Sequence, residues 1–185
     1  MAVPSEDYRH AISHFASGVS VVTTINRDEP RGMTASAVAS VSLQPVQLLV
    51  CMDRESQTRA AVSASRIFAV NILASDQEEL SRIFAAPHDP SSSEFAKVPY
   101  KPGDELGAPI LDGVLAYLEC RVNETYLGGD HDIFLGIVEA VGVPRPDAEP
   151  LIYFQSSYGR FAPLLGPGRQ NGHPDSDGQQ KRRAI

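Results

Sequence analysis

The chain has 185 residues, 42% of them hydrophobic, and a formal net charge of −7. This length and apolar content predict one globular domain with a core. The acidic balance argues against nucleic-acid binding. No apolar run is long enough to cross a bilayer, and residues 1–6 do not resemble a signal peptide, so we expect a cytoplasmic protein without membrane contact.

The two cysteines also favour a cytoplasmic protein. Cys51 and Cys120 both lie inside apolar, strand-like runs, which predicts buried reduced thiols. No cluster of cysteine and histidine has metal-ligand spacing, so we expect no metal site.

The first part of the chain predicts a short helix followed by strands. Ser5 is placed to cap a helix whose first turn is acidic, as the helix dipole prefers. The β-branched run 18–25 predicts a strand, and residues 26–30 predict a turn. Segment 31–45 is predicted as one strand that ends at a proline. The nearly continuous apolar run 46–52 then predicts a strand buried on both faces.

The middle of the chain predicts two more helices and a long loop. Residues 53–58 lead into a short helix ending near Ala64, and residues 66–73 form a strand. Ser75 and Glu78 have capping-box spacing, which predicts a helix through about Ala86.

A long segment rich in proline and glycine follows, over residues 87–113. We expect a loop with a short turn at 94–97, and loops of this length are often functional.

Three further strands are predicted at residues 114–125, 133–143 and 151–154. Alternation in the first of these predicts that Glu119 faces outward. About seven strands with few helices favour a mainly β fold, a closed antiparallel barrel with short flanking α-helices. The domain is expected to occupy residues 1–165, ahead of a disordered tail at residues 166–185.

Short hydroxyl side chains recur in the predicted strand 31–45. With a period of two, one face carries Thr34, Ser36, Ser40 and Ser42. Small side chains let a flat, polar-edged ligand approach the backbone, which predicts a cofactor site. The alternative is an edge strand whose hydroxyl groups face water.

The segment 53–59 is a second candidate site, because it joins a buried strand to the start of a helix. Helix starts expose unpaired N–H groups that bind phosphate. Ser56 and Thr58 add hydroxyl donors, and Arg54 or Arg59 adds positive charge. The alternative is an ordinary helix cap supplied by Ser56.

Two more candidates follow near the C-terminus. His131, in the Gly-Gly-Asp-His-Asp segment 128–132, is expected at the start of a strand, where it suits proton transfer or recognition of a polar ligand edge. The aromatic segment 153–161 suits stacking on a ring. The alternatives are an exposed loop histidine and an ordinary packed strand. No serine-hydrolase elbow, phosphate-binding P-loop or Rossmann fingerprint is present.

Taken in order, these segments resemble the flavin reductase family, the NAD(P)H:flavin oxidoreductases that serve two-component monooxygenases. The likeness covers about residues 8–163. It is carried by segments 15–24, 32–36, 40–45, 158–161 and the Gly-Asp-His motif at 129–131.

The resemblance implies an FMN-binding split barrel that works as a homodimer. It implies NADH or NADPH as hydride donor, FMN or FAD as acceptor, and a partner monooxygenase that receives the reduced flavin. The hydride would pass from nicotinamide C4 to flavin N5, with the two rings stacked.

The resemblance also implies residue roles. His131 would lie beside the nicotinamide, Ser56 and Thr58 at the phosphate, and Tyr158 near the dimer-facing side. Residues 51–54 would lie beside the isoalloxazine and ribityl chain. The implied flavin contacts are Thr34, Ala35, Ser36, Ser40, Val41, Ser42, Cys51, Met52, Asp53, Arg54, Ser56, Thr58 and Tyr158.

Three other functions remain open at this point. The same barrel serves oxidases of the pyridoxamine-phosphate type, which retain their flavin. A non-enzymic carrier of flavin or another small ligand would bind without turnover. An all-β interaction module would bind no ligand, and its hydroxyl groups would simply face water.

Overall fold

The computed structural model describes residues 2–87 and 93–163, so the predicted tail lies outside the described residues. The helices are α1 (Ser5–Ile12), α2 (Gln57–Ser65) and α3 (Glu78–Ala85), with a 3-10 turn at Glu94–Ala96. The strands are β1 (Ser17–Gly18), β2 (Ser20–Asn26), β3 (Glu29–Ala35), β4 (Val38–Leu43), β5 (Val46–Asp53), β6 (Ile67–Ile72), β7 (Tyr100–Pro102), β8 (Pro109–Leu111), β9 (Ala116–Gly128), β10 (His131–Gly142), β11 (Leu151–Phe154) and β12 (Ser157–Arg160). None of the helices in these ranges is long and apolar enough to span a membrane.

The architecture is mainly β with a few short helices, as predicted. Seven antiparallel strands form the main sheet in the order β3-β2-β6-β9-β10-β5-β4, and smaller sheets join β1 with β11 and β12, and β7 with β8. Among the described residues no ladder joins β3 to β4, so the predicted closed barrel is not seen as a closed ladder. Met33 of β3 nevertheless packs against the same apolar cluster as Leu48 and Val50 of β5.

Two tight hairpin turns place consecutive strands next to each other, β2 beside β3 and β11 beside β12. Arg27 and Asp28 have φ values of 51° and 65°, which fits the two-residue turn between β2 and β3. Gln155 and Ser156 repeat this geometry between β11 and β12. The sequence predicts β11 but not β12, because nothing in the aromatic segment 153–161 signals a turn back into a second strand.

The predicted strand 31–45 is in fact two strands. β3 ends at Ala35 and pairs with β2, whereas β4 begins at Val38 and pairs with β5. These strands lie at opposite ends of the main-sheet order. The hydroxyl groups of β3 and β4 therefore do not share one continuous face, because each half follows a different partner strand.

The strand β5 is buried on one face only, contrary to the prediction. Leu48, Val50 and Met52 are buried, whereas Leu49 and Cys51 between them are partly exposed. The main core covers the strand on one side, where Met52 belongs to the same buried cluster as Phe68 and Phe134.

The predicted orientation of the Glu119 side chain is wrong. Its side chain is fully buried rather than outward, and its carboxylate accepts hydrogen bonds from the backbone N–H groups of Glu105 (3.3 Å) and Leu106 (2.8 Å). A Cβ atom at Gly103 would lie only 2.2 Å from Glu119 Oε2, so the loop approaches the carboxylate closely. This loop belongs to the β7–β8 hairpin, which the long-loop prediction did not anticipate.

The helix predictions are confirmed in position, but two caps differ. Ser5 is the first residue of α1 rather than its cap, and Pro4 precedes it. Gln77, not Ser75, precedes α3, and its side chain accepts a hydrogen bond from the N–H of Ala74. Ser75 instead donates its backbone N–H to the carbonyl of Glu149.

Both cysteines are free thiols, as predicted, and they differ in burial. Burial raises the pKa of Cys120 to about 12, with the nearby carboxylates of Glu119 and Glu139 adding to the effect. Because the thiolate is the reactive form, we expect Cys120 to resist a disulfide reagent at about pH 8 until the chain is unfolded. A Cys51→Ser variant isolates the signal, and rapid labelling of that variant in its folded state would contradict this.

The same shift predicts a pH dependence of stability. The unfolded thiol ionises near its ordinary pKa of 9.0, whereas the folded thiol holds its proton to about pH 12. The folded state therefore binds more protons in this window, and the free energy of unfolding should fall as the pH rises through it. Replacing Cys120 with alanine should flatten this part of the pH profile.

Candidate active site

A cavity of about 830 Å³ opens between β3, the start of α2, α3 and the β11–β12 hairpin. Its volume lies in the range of small-molecule and cofactor sites. Its walls combine apolar side chains such as Met33 and Phe84 with polar ones such as Ser36, Ser56 and Tyr158. It can therefore hold a ligand that has both an apolar face and polar edges.

The start of α2 forms one end of the cavity. The Ser56 hydroxyl oxygen accepts the N–H of Arg59 (3.4 Å), and the Ser56 carbonyl accepts the N–H of Ala60 (3.2 Å). The N–H groups of Gln57 and Thr58 come before these, and an α-helix supplies them with no internal partner. Both residues line the cavity, so this end suits an anion such as phosphate.

Acidic side chains flank that end. Asp53 Oδ1 accepts the N–H of Glu55 (2.8 Å), which shapes the turn into α2, and both residues line the cavity. Their carboxylates are acceptors for hydroxyl groups of a ligand.

The opposite wall is built from β3 and α3. A Cβ atom at Gly32 would lie 2.7 Å from the ring of Phe84, so only glycine allows this close approach. Thr34 donates its hydroxyl to the carbonyl of Ser81 (2.7 Å), and the Ser81 hydroxyl lies 2.9 Å from the Tyr158 hydroxyl. These bonds fix Tyr158 against the helix, and the Arg82 guanidinium lies 5.1 Å from the centre of its ring.

A side-chain hydrogen bond joins the two walls. The Ser56 hydroxyl donates to the sulfur of Met33, at 3.4 Å. This bond links the start of α2 directly to the cavity wall formed by β3.

His131 lies beside the cavity rather than in its lining. It is the first residue of β10, as predicted, and it lies opposite Asp53 in the ladder with β5. Its Nδ1 lies 2.8 Å from Asp130 Oδ1, and this hydrogen bond lowers the pKa of the Asp130 carboxyl. The imidazole is 43% exposed and can meet a ligand.

Sequence reasoning did not identify the buried carboxylate of Asp132, which follows His131 on β10. Asp132 is fully buried on β10, and its Oδ2 accepts the Nε (2.5 Å) and Nη2 donors of Arg59. Its Oδ1 has no hydrogen-bond partner among the described residues and lies 3.7 Å from Arg54 Nε. Arg59 therefore joins α2 to β10 through this buried ion pair.

The cavity brings together six of the residues predicted from the sequence. They are Thr34, Ser36, Asp53, Ser56, Thr58 and Tyr158.

The other predicted residues lie outside its lining. Ala35 and Met52 are buried in the core. Cys51 is on β5, Arg54 follows that strand, and Ser40, Val41 and Ser42 are on β4.

Sequence reasoning also left out several lining residues. Ser81 and Phe84 have the i, i+3 spacing of one helix face, but nothing local shows which strand that face covers. Arg31 directly precedes Gly32, the first residue of the segment 32–36 that carries the family resemblance. Gln57 lies inside the predicted segment 53–59. No group of three metal-ligating side chains occurs within residues 2–87 and 93–163.

Comparison with known proteins gives a consistent result. A protein of Streptomyces globisporus named NADH-dependent FAD reductase is 39% identical over 163 residues, which cover 87% of this chain and 88% of that protein. The reductase component of a 4-nitrophenol 4-monooxygenase/4-nitrocatechol 2-monooxygenase from Rhodococcus opacus is 38% identical over 157 residues, covering 85% of this chain and 81% of that protein.

A solved structure is similarly close. The NADH:FAD oxidoreductase of Streptomyces globisporus C-1027, in complex with NAD and FAD fragments, matches with a TM-score of 0.80 and 37% identity, covering 90% of this chain and 99% of that one. The family described as "Flavin reductase like domain" matches residues 12–162. The chain therefore belongs to the flavin reductase like domain family.

Proposed function

We propose that this protein is an NADH-dependent flavin reductase that takes free FMN or FAD as a substrate and supplies reduced flavin to a partner monooxygenase. The observation that carries the proposal is the cavity. It is lined at one end by a helix start suited to an anion and along one wall by β3. The names of its relatives support NADH as the donor and a monooxygenase as the partner.

The residues in the cavity fit a flavin. The N–H groups of Gln57 and Thr58, with the Ser56 hydroxyl, would hold the phosphate. Asp53 and Glu55 would accept hydroxyl groups of the ribityl chain. Apolar lining side chains such as Met33 and Phe84 would contact the flat ring.

Bound flavin supplies a ring that accepts a hydride. The protein positions this ring, excludes water from it and holds the nicotinamide against it. We assign the nicotinamide side to His131, because it lies opposite Asp53 and is open to solvent. Cys51 and Arg54 would support the ring from the neighbouring end of β5.

We also propose that the working form is a homodimer. The α1 helix buries none of its residues, and Tyr8, Ile12 and Phe15 are 61%, 49% and 74% exposed. An apolar set of this kind fits an interface between subunits. We propose further that the main sheet curls into the split barrel of the family, and that the free thiols reflect a cytoplasmic location.

Steady-state oxidation of NADH and NADPH tests the function. Protein stripped of flavin is assayed with added FMN or FAD, and the loss of nicotinamide absorbance is followed. We expect turnover with NADH that requires free flavin and saturates in it. A retained flavin without turnover of either nucleotide would overturn the proposal and favour the oxidase or carrier alternatives.

A further inference from the structure

A second cavity of about 260 Å³ adjoins the first. Its lining is Asn26, Glu29, Arg31, Gln57, Ala60 and Ala61. Arg31 and Gln57 line both cavities, so together they form the boundary between them. A long ligand held in the first cavity can continue past this boundary into the second.

We propose that the second cavity binds the adenosine end of FAD, with the diphosphate passing between Arg31 and the start of α2. This proposal rests on the proposed function, since it extends the flavin from the first cavity. FMN ends in a phosphate, which the start of α2 would hold at the boundary. Only FAD continues from that point, through a second phosphate, a ribose and an adenine.

The boundary carries a suitable cation. The Arg31 side chain is only 24% exposed, and its guanidinium is held by Glu29 Oε2 (2.8 Å from Nη2) and by the Pro30 carbonyl (3.2 Å from Nη1). A guanidinium has five N–H donors, so these two contacts leave donors that can meet a phosphate oxygen.

The remaining lining suits a nucleoside. Ala60 and Ala61 present small apolar side chains on α2, against which a flat base can lie. The Asn26 amide can donate to and accept from the polar edge of a base. The Glu29 carboxylate is an acceptor for ribose hydroxyl groups, as carboxylates are in other nucleotide sites. Its charge is offset by Arg31, which limits its repulsion of the diphosphate.

The test is a bulky substitution in the second cavity alone. Ala60 is exposed and lies outside the lining of the first cavity, so Ala60→Phe should fill the adenosine site without altering the flavin slot. We expect KM for FAD to rise about tenfold, while KM for FMN and KM for NADH change less than about twofold. Ala64→Phe, at an exposed position of the same helix outside both linings, is the matched control and should leave all three values unchanged.

AMP gives a second measurement that needs no variant. It should raise KM for FAD in the wild-type enzyme and leave KM for NADH unchanged.

Other outcomes overturn the proposal. An equal rise of KM for both flavins in Ala60→Phe would place the effect in the first cavity. A rise for NADH instead would assign the second cavity to the nicotinamide dinucleotide. Unchanged FAD values would show that adenosine lies elsewhere.

Failure of the proposed function gives a different result. In that case wild-type protein oxidises no NADH with either flavin. The subsite is then judged by flavin fluorescence titration, where Ala60→Phe should weaken binding of FAD but not of FMN. Equal binding of FAD by the wild-type and Ala60→Phe proteins would overturn the proposed adenosine site.

Discussion

Replacing Asp132 with alanine is expected to lower the free energy of unfolding by about 3 kcal/mol, the lower end of the range for breaking a buried ion pair. Asp132 is fully buried, and its Oδ2 accepts two donors of Arg59. Removing the carboxylate leaves that guanidinium without its anion. The lower end applies because the Arg59 side chain is 27% exposed, so water can replace part of the lost contact.

Urea unfolding of the variant measures this loss. The Asp130→Ala variant is the matched control, since the neighbouring Asp130 side chain is 92% exposed and should matter far less. A double variant, Asp132→Leu with Arg59→Met, should recover part of the stability, because both charges are then removed together. An Asp132→Ala variant as stable as the control would show that the buried pair contributes nothing.

Replacing His131 with alanine is expected to lower kcat/KM for NADH by about a hundredfold, the loss typical of a bound reactant held in the wrong position. The imidazole lies at the first position of β10, opposite the cavity residue Asp53, with Nδ1 oriented by Asp130. It lies outside the cavity lining, so the dissociation constant of flavin should change little.

Steady-state kinetics with NADH and a flavin titration separate these two effects. His10→Ala, an exposed histidine on α1, serves as the control and should behave like the wild type. Weaker flavin binding with normal turnover of the remaining complex would show that His131 serves the flavin instead.

Much of the fold could be predicted because its signals are local. The helix α2 follows a buried strand and begins at a serine cap, and both features stand next to each other in the sequence. The β2–β3 turn is similarly contained within residues 26–30. The end of the cavity formed by the start of α2 was predictable for this reason.

The remaining features depend on contacts between distant residues. The segment 31–45 divides because β3 pairs with β2 and β4 pairs with β5, which alternation along one strand does not reveal. Glu119 looks like a solvent-facing residue until the loop near Gly103 covers it. Asp132 follows a glycine-rich turn, and only its partner Arg59, 73 residues earlier, shows that it is part of the interior.

The main cavity is lined by segments that lie far apart in the sequence, from Val19 to Tyr158. A molecule that fills it acts as a temporary non-covalent cross-link between segments that are far apart in sequence. Its binding free energy adds to the cost of every local opening that separates those segments. For a substrate that leaves at each turnover, the rigidity of the C-terminal hairpin would then rise and fall with the reaction cycle.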